Sequence, residues 1–244
     1  MGRITFITGT DTGVGKTLLT CLLLRHLRQQ GVDALAMKPF CTGSRADVKL
    51  LSAAQDGALS AEEINPHFFR DPVAPWAACM KRGKRVIPEQ VVDEVQGLAA
   101  GVDHLLVEGV GGVLVPLTAT WSVGDLIRQL NCEVVVVARN RLGTLNHTRL
   151  TVDSLQRRGV QKLKVVLMTP RRRDGSAGSN RRILAALLAP MAVEEVPFLG
   201  PGLAQAGLLD RRAKKLKKTL ARIVGSAILP LAFRGKRQAA MESA

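Results

Sequence analysis

The stretch Thr8-Gly9-Thr10-Asp11-Thr12-Gly13-Val14-Gly15-Lys16-Thr17 constrains this chain more than any other. It follows the apolar, strand-like run Ile4–Thr8 and leads into Thr17–Gln30, a leucine-rich stretch with helical spacing that Gly31 closes as a C′ residue. A glycine-rich turn between a strand and a helix lets several backbone N–H groups converge on one anion, and the start of the helix adds its partial positive charge. Lys16 is placed to bridge β- and γ-phosphates, and Thr17 to set its hydroxyl on Mg²⁺. The spacing exceeds the usual phosphate-loop pattern by one residue, since five residues separate Gly9 from Gly15. The bland alternative is a glycine-rich turn that merely opens a helix.

Strand-like runs recur at Ala34–Lys38, His104–Glu108, Glu133–Ala138, Lys164–Met168 and Val193–Val196. Several carry Val, Ile and Leu on both alternating faces, as central parallel strands covered on both sides do. Helical candidates lie between them at Glu89–Ala100, Ser122–Leu130, Asn146–Arg158, Asn180–Leu188 and Leu209–Val224. This alternation predicts an α/β fold with one doubly wound, mostly parallel sheet and helices on both faces. A length of 244 residues suits a single domain over residues 1–225, with 226–244 as a C-terminal tail. Residues 56–85 and 170–179 read as the least regular internal stretches.

Lys and Arg number 35 against 20 Asp and Glu, a net charge of +15 that permits anionic partners without choosing among them. Aromatics make up only 3% and do not interleave with the basic runs around Arg171–Arg173 and Arg211–Lys218, which disfavours nucleic-acid binding. No apolar stretch is long enough for a membrane span, and the amino terminus does not read as a secretory signal. The four cysteines have no zinc spacing. The expected setting is a reducing cytoplasm.

Gly-Thr-Asp-Thr-x-Val-Gly-Lys-Thr at 9–17 resembles the phosphate loop of the dethiobiotin synthetase family. Lys38-Pro39 with Thr42-Gly43, Val107-Glu108-Gly109-Val110-Gly111-Gly112, Pro116-Leu117, Leu142-Gly143-Thr144-Leu145-Asn146-His147 and Glu195-x-Pro197-x-Leu199 are similar to further family elements, in family order. The resemblance runs from residue 3 to about 200. It implies a phosphate-loop NTPase fold and an ATP-dependent ring closure in biotin synthesis. An amine of 7,8-diaminononanoate captures CO₂ as a carbamate, ATP phosphorylates it to a carbamic–phosphoric anhydride, and the second amine closes the ureido ring.

The resemblance also implies roles for single residues. Lys16 and Lys38 neutralise the reacting anions, and the hydroxyls of Thr12 and Thr42 hold the carbamate. Gly13, Val14, Gly15, Lys16, Thr17, Glu108, Met168 and Pro197 bind nucleotide. Thr17, Asp47 and Glu108 supply oxygens to Mg²⁺. Thr12, Lys38, Thr42, Gly111, Leu142, Gly143 and Asn146 bind the substrate, with Leu142–Asn146 reaching across a homodimer interface to its distal carboxylate. Other readings stay open for some of these residues. Asp47 and Asn146 are also plausible helix N-caps, Glu108 a cap of the Gly109–Gly112 turn, and Lys38 a plain strand-end lysine. Two departures from the family pattern stand out: Gly13 replaces a frequent glutamate, and Met168 replaces an asparagine that reads adenine. The rival readings are another phosphate-loop ligase or a nucleotide-switched, nucleic-acid-binding ATPase.

Overall fold

The computed structural model describes residues 2–200 and 206–225, so the expected tail at 226–244 lies outside the described residues. Six strands form one parallel sheet: β1 (Arg3–Gly9), β2 (Ala34–Met37), β5 (His104–Glu108), β6 (Glu133–Arg139), β7 (Leu163–Met168) and β8 (Val193–Val196). Their order is β2-β5-β1-β6-β7-β8. Every described pairing in it is parallel. β5 is buried along its whole length and β1 at every residue after Arg3, so both faces of the sheet centre are covered. This is why these runs are apolar throughout rather than alternating.

Helix α1 (Lys16–Gln29) follows the glycine loop, packs on β1, β2 and β5, and also meets two carboxyl-terminal helices, α9 (Ala206–Lys215) and α10 (Lys217–Val224). The helix expected over 209–224 is therefore two helices, divided at Leu216. Helices α5 (Pro88–Ala100), α7 (Thr144–Arg157) and α8 (Asn180–Leu187) pack against β5, β6 and β8 respectively, and α6 (Val123–Leu130) packs on α5. Leu19, Leu22, Leu23, Leu105 and Val136 belong to one continuous apolar core.

Residues 56–85 are more regular than the sequence suggests. They contain α3 (Ala61–Ile64), β4 (His67–Phe69) and α4 (Pro75–Arg82). β4 pairs in parallel with β3 (Phe40–Thr42), forming a small second sheet beside the main one. Between them, α2 (Ala46–Ala54) rests on α1. This appendage carries Thr42 and Asp47 toward the carboxyl ends of β1, β2 and β5, where a parallel sheet builds its ligand crevice.

Candidate active site

The first wall of the crevice is the loop between β1 and α1. Gly13 and Gly15 have φ of 70° and 108°, conformations that side chains with a Cβ rarely adopt. Lys16 is buried and curls back, its Nζ donating to the carbonyl of Asp11 at 2.9 Å and of Gly111 at 2.8 Å. Burial lowers its pKa to about 8, against an upward pull from Glu108.

The second wall centres on Glu108, the last residue of β5 and fully buried. Its Oε1 accepts from the Thr17 hydroxyl at 2.8 Å and from Lys38 Nζ at 2.7 Å. Lys38, one residue past β2, also donates to Asp47 Oδ2 at 2.5 Å. Burial alone would lower the pKa of Lys38, but Glu108 and then Asp47 reverse that and hold it above the ordinary lysine range. Burial likewise pushes Asp47 up, and Lys38 outweighs it, so its carboxyl lies below the usual range. Three of the alternatives are thus settled. Lys38 is buried and doubly paired rather than a surface lysine. Asp47 is the second residue of α2, whose N-cap is Arg45, and Asn146 is the third of α7, whose N-cap is Gly143.

Thr12, Gly13, Gly15, Lys16, Thr17, Lys38, Thr42, Asp47, Glu108 and Gly111 line one cavity of about 320 Å³, joined by Leu18, Cys41 and Val110. Val14 is buried beneath the loop. Met168 ends β7 and packs under the loop, with its Cγ 3.1 Å from where a Cβ on Gly15 would stand. Pro197 follows β8 and is exposed. Leu142, Gly143 and Asn146 are exposed and lie outside the cavity. The Leu142 amide donates to Asp174 at 2.8 Å.

Among the described residues no cluster of three or more His, Cys, Asp or Glu forms a metal cage. The cavity instead offers one hydroxyl and two carboxylates, from Thr17, Asp47 and Glu108. Glu108 Oε2 is buried with no hydrogen-bond partner. A hard oxygen set with an unsatisfied carboxylate oxygen fits Mg²⁺, which takes few protein ligands and keeps its waters.

Two features escaped the sequence reading. Arg139, the last residue of β6, donates to the Gly13 carbonyl at 2.5 Å. Behind it, buried Asn140 donates to Glu195 at 3.2 Å and accepts from Asn180 at 2.9 Å, while Thr169 donates to Glu195 at 2.5 Å. The only signal for Arg139 was a charge directly after the apolar run Val134–Ala138.

A family model described as AAA domain matches residues 3–201. The chain is 47% identical over 166 residues to the ATP-dependent dethiobiotin synthetase of Anaeromyxobacter sp. strain Fw109-5, covering 66% of this chain and 74% of that one. It is 34% identical over 197 residues to the enzyme of that name from Endomicrobium trichonymphae, covering 79% and 91%. Among solved structures it resembles a ParA family ATPase from Chlorobium tepidum at a TM-score of 0.59 and 13% identity, covering 91% and 98%. The MinC:MinD complex of Aquifex aeolicus matches at 0.58 and 12%, covering 94% and 98%. At such identities the structural likeness speaks for the fold alone. The sequence relatives, the family model and the parallel sheet agree that this chain belongs to the dethiobiotin synthetase family of phosphate-loop ATPases.

Proposed function

We propose that this chain is an ATP-dependent ligase that makes dethiobiotin from 7,8-diaminononanoate and CO₂, with Mg²⁺ and as a cytoplasmic homodimer. The observation that carries this reading is the convergence of Lys16, Thr17, Lys38 and Glu108 on one cavity, because phosphoryl transfer to a carbamate brings two anions together. One amine takes up CO₂ and loses a proton, giving the carbamate. The hydroxyls of Thr12 and Thr42 hold it, and Lys38 offsets its charge. A carbamate oxygen attacks the γ-phosphorus and ADP leaves. The second amine then attacks the carbonyl carbon and loses a proton, phosphate departs with the C–O bond pair, and the ring closes.

Lys16 holds the γ-phosphate, and Gly13, Val14, Gly15 and Thr17 present backbone N–H groups to the phosphate chain. Met168 and Pro197 border the base. Thr17, Asp47 and Glu108 would hold Mg²⁺, which would supply charge neutralisation to the phosphate chain. Gly111 lets the backbone approach the substrate closely, and Leu142, Gly143 and Asn146 of the second subunit take its distal carboxylate. The test is ADP release with each component omitted in turn. Release must require diaminononanoate and bicarbonate together, and release without either would replace the ligase reading by that of an ATPase.

A further inference from the structure

We propose that Arg139 is a positioning residue for the nucleotide, turning the Gly13–Val14 peptide toward the phosphates and adding positive charge to their side of the loop. This rests on the reading that the cavity takes a nucleoside triphosphate. The argument starts from the sheet order. β1 lies between β5 and β6, so the loop that follows it has a neighbour on each side. On the β5 side, Lys16 fastens the loop through the carbonyls of Asp11 and Gly111. On the β6 side, the Thr10 amide donates to Val137 at 2.9 Å, and two residues on Arg139 reaches back to the Gly13 carbonyl at 2.5 Å.

In a trans peptide the carbonyl and the following N–H point in opposite directions. Drawing the Gly13 carbonyl outward onto Arg139 therefore aims the Val14 N–H the other way. Gly13 has no side chain to restrict that peptide plane, and its φ of 70° is one that residues with a Cβ rarely adopt. The guanidinium is exposed, and the Gly13 bond is its only hydrogen bond among the described residues. It also forms no ion pair among them. Asp11, which lines the same small notch, turns its carboxylate to the Thr12 amide at 2.6 Å. Most of the guanidinium's donors, and its whole charge, are thus uncommitted beside a phosphate-binding loop.

The test measures ATP binding by equilibrium dialysis without diaminononanoate, alongside steady-state kinetics. Arg139→Ala should weaken ATP binding and raise its KM by about tenfold or more, the scale of one hydrogen bond to a charged group. The KM for diaminononanoate and kcat should stay within about twofold on the same scale. Arg139→Lys should restore most of the ATP affinity, which a bulk packing role would not. Arg139→Gln carries the same measurement if the alanine variant fails to fold, and it should fall between Lys and Ala. ATP binding within twofold of the parent in folded Ala or Gln variants, or an equal rise in both KM values, overturns the proposal. Failure of the ligase reading would appear separately, as parent protein that binds ATP but makes no product.

Discussion

Lys38 Nζ stands 2.7 Å from Oε1 of Glu108, while Oε2 of the same fully buried carboxylate has no partner. A buried carboxylate with half its acceptors unmet is costly, and one lysine carries much of the compensation. The pair therefore couples chemistry to folding.

Lys38→Met should abolish dethiobiotin formation while leaving ATP binding largely intact. It should also destabilise the protein by about 3–5 kcal/mol, because it strands the Glu108 charge. Adding Glu108→Gln should return much of that stability without returning activity. A thermal-melt double-mutant cycle checks it, and additive losses would show that the two side chains are not coupled.

Lys16 gives the ligand-free protein a distinct pH dependence. In the unfolded chain it keeps its proton to about 10.5, whereas in the fold burial brings this down to about 8. Between those values the unfolded state holds more protons, so the Lys16 contribution to stability rises with pH there. Its burial penalty is complete below pH 8. The ammonium is the form that holds phosphate, so ATP affinity should fall as pH rises through about 8. Dissociation constants between pH 7 and 9.5 decide the matter (a flat profile removes Lys16 from the phosphates).

Met168 should leave the base poorly discriminated. On the proposed reading Met168 stands where the family places an amide that reads the base, and a thioether cannot make that amide's donor and acceptor contacts, while the neighbouring Thr169 hydroxyl donates to Glu195 at 2.5 Å. Loss of one or two neutral hydrogen bonds corresponds to about 1–3 kcal/mol, so ATP should be favoured over CTP or GTP by no more than about a hundredfold in kcat/KM. Met168→Asn should widen that gap. Product formation with each triphosphate measures it, and strict ATP dependence of the parent would contradict the expectation.

Leu142 is 79% exposed at the turn before α7. If the segment completes a partner's site, Leu142→Asp should shift sedimentation toward monomer and raise the KM for diaminononanoate far more than that for ATP. A fully active monomer at assay concentration would end the dimer reading.

The main sheet was legible because its strands are buried on both faces, and Val134–Val137 cannot be read as anything half-exposed. The second sheet was not legible. Phe40–Thr42 and His67–Phe69 are three residues each, too short to show a period, and their pairing joins segments with two helices between them. Most cavity residues were found through the family resemblance, whose motifs sit at strand ends. Arg139 escaped because its contact is to a backbone carbonyl across 126 positions, which no local pattern records. The division of the last helical stretch at Leu216 was equally silent, since the apolar spacing continues through it.

The central place of β1 has a consequence for the order of assembly. The glycine loop is synthesised before the strands that flank it, which begin only at His104 and Glu133. A growing chain that has not passed residue 111 lacks the carbonyl that Lys16 grips from the far side, and one that has not passed 139 lacks Arg139. An amino-terminal fragment would own the whole phosphate-loop motif and still present a slack loop. Nucleotide capture is thus a property acquired late, when distant later segments close around the loop, and bound ATP would favour completion of the fold rather than its beginning.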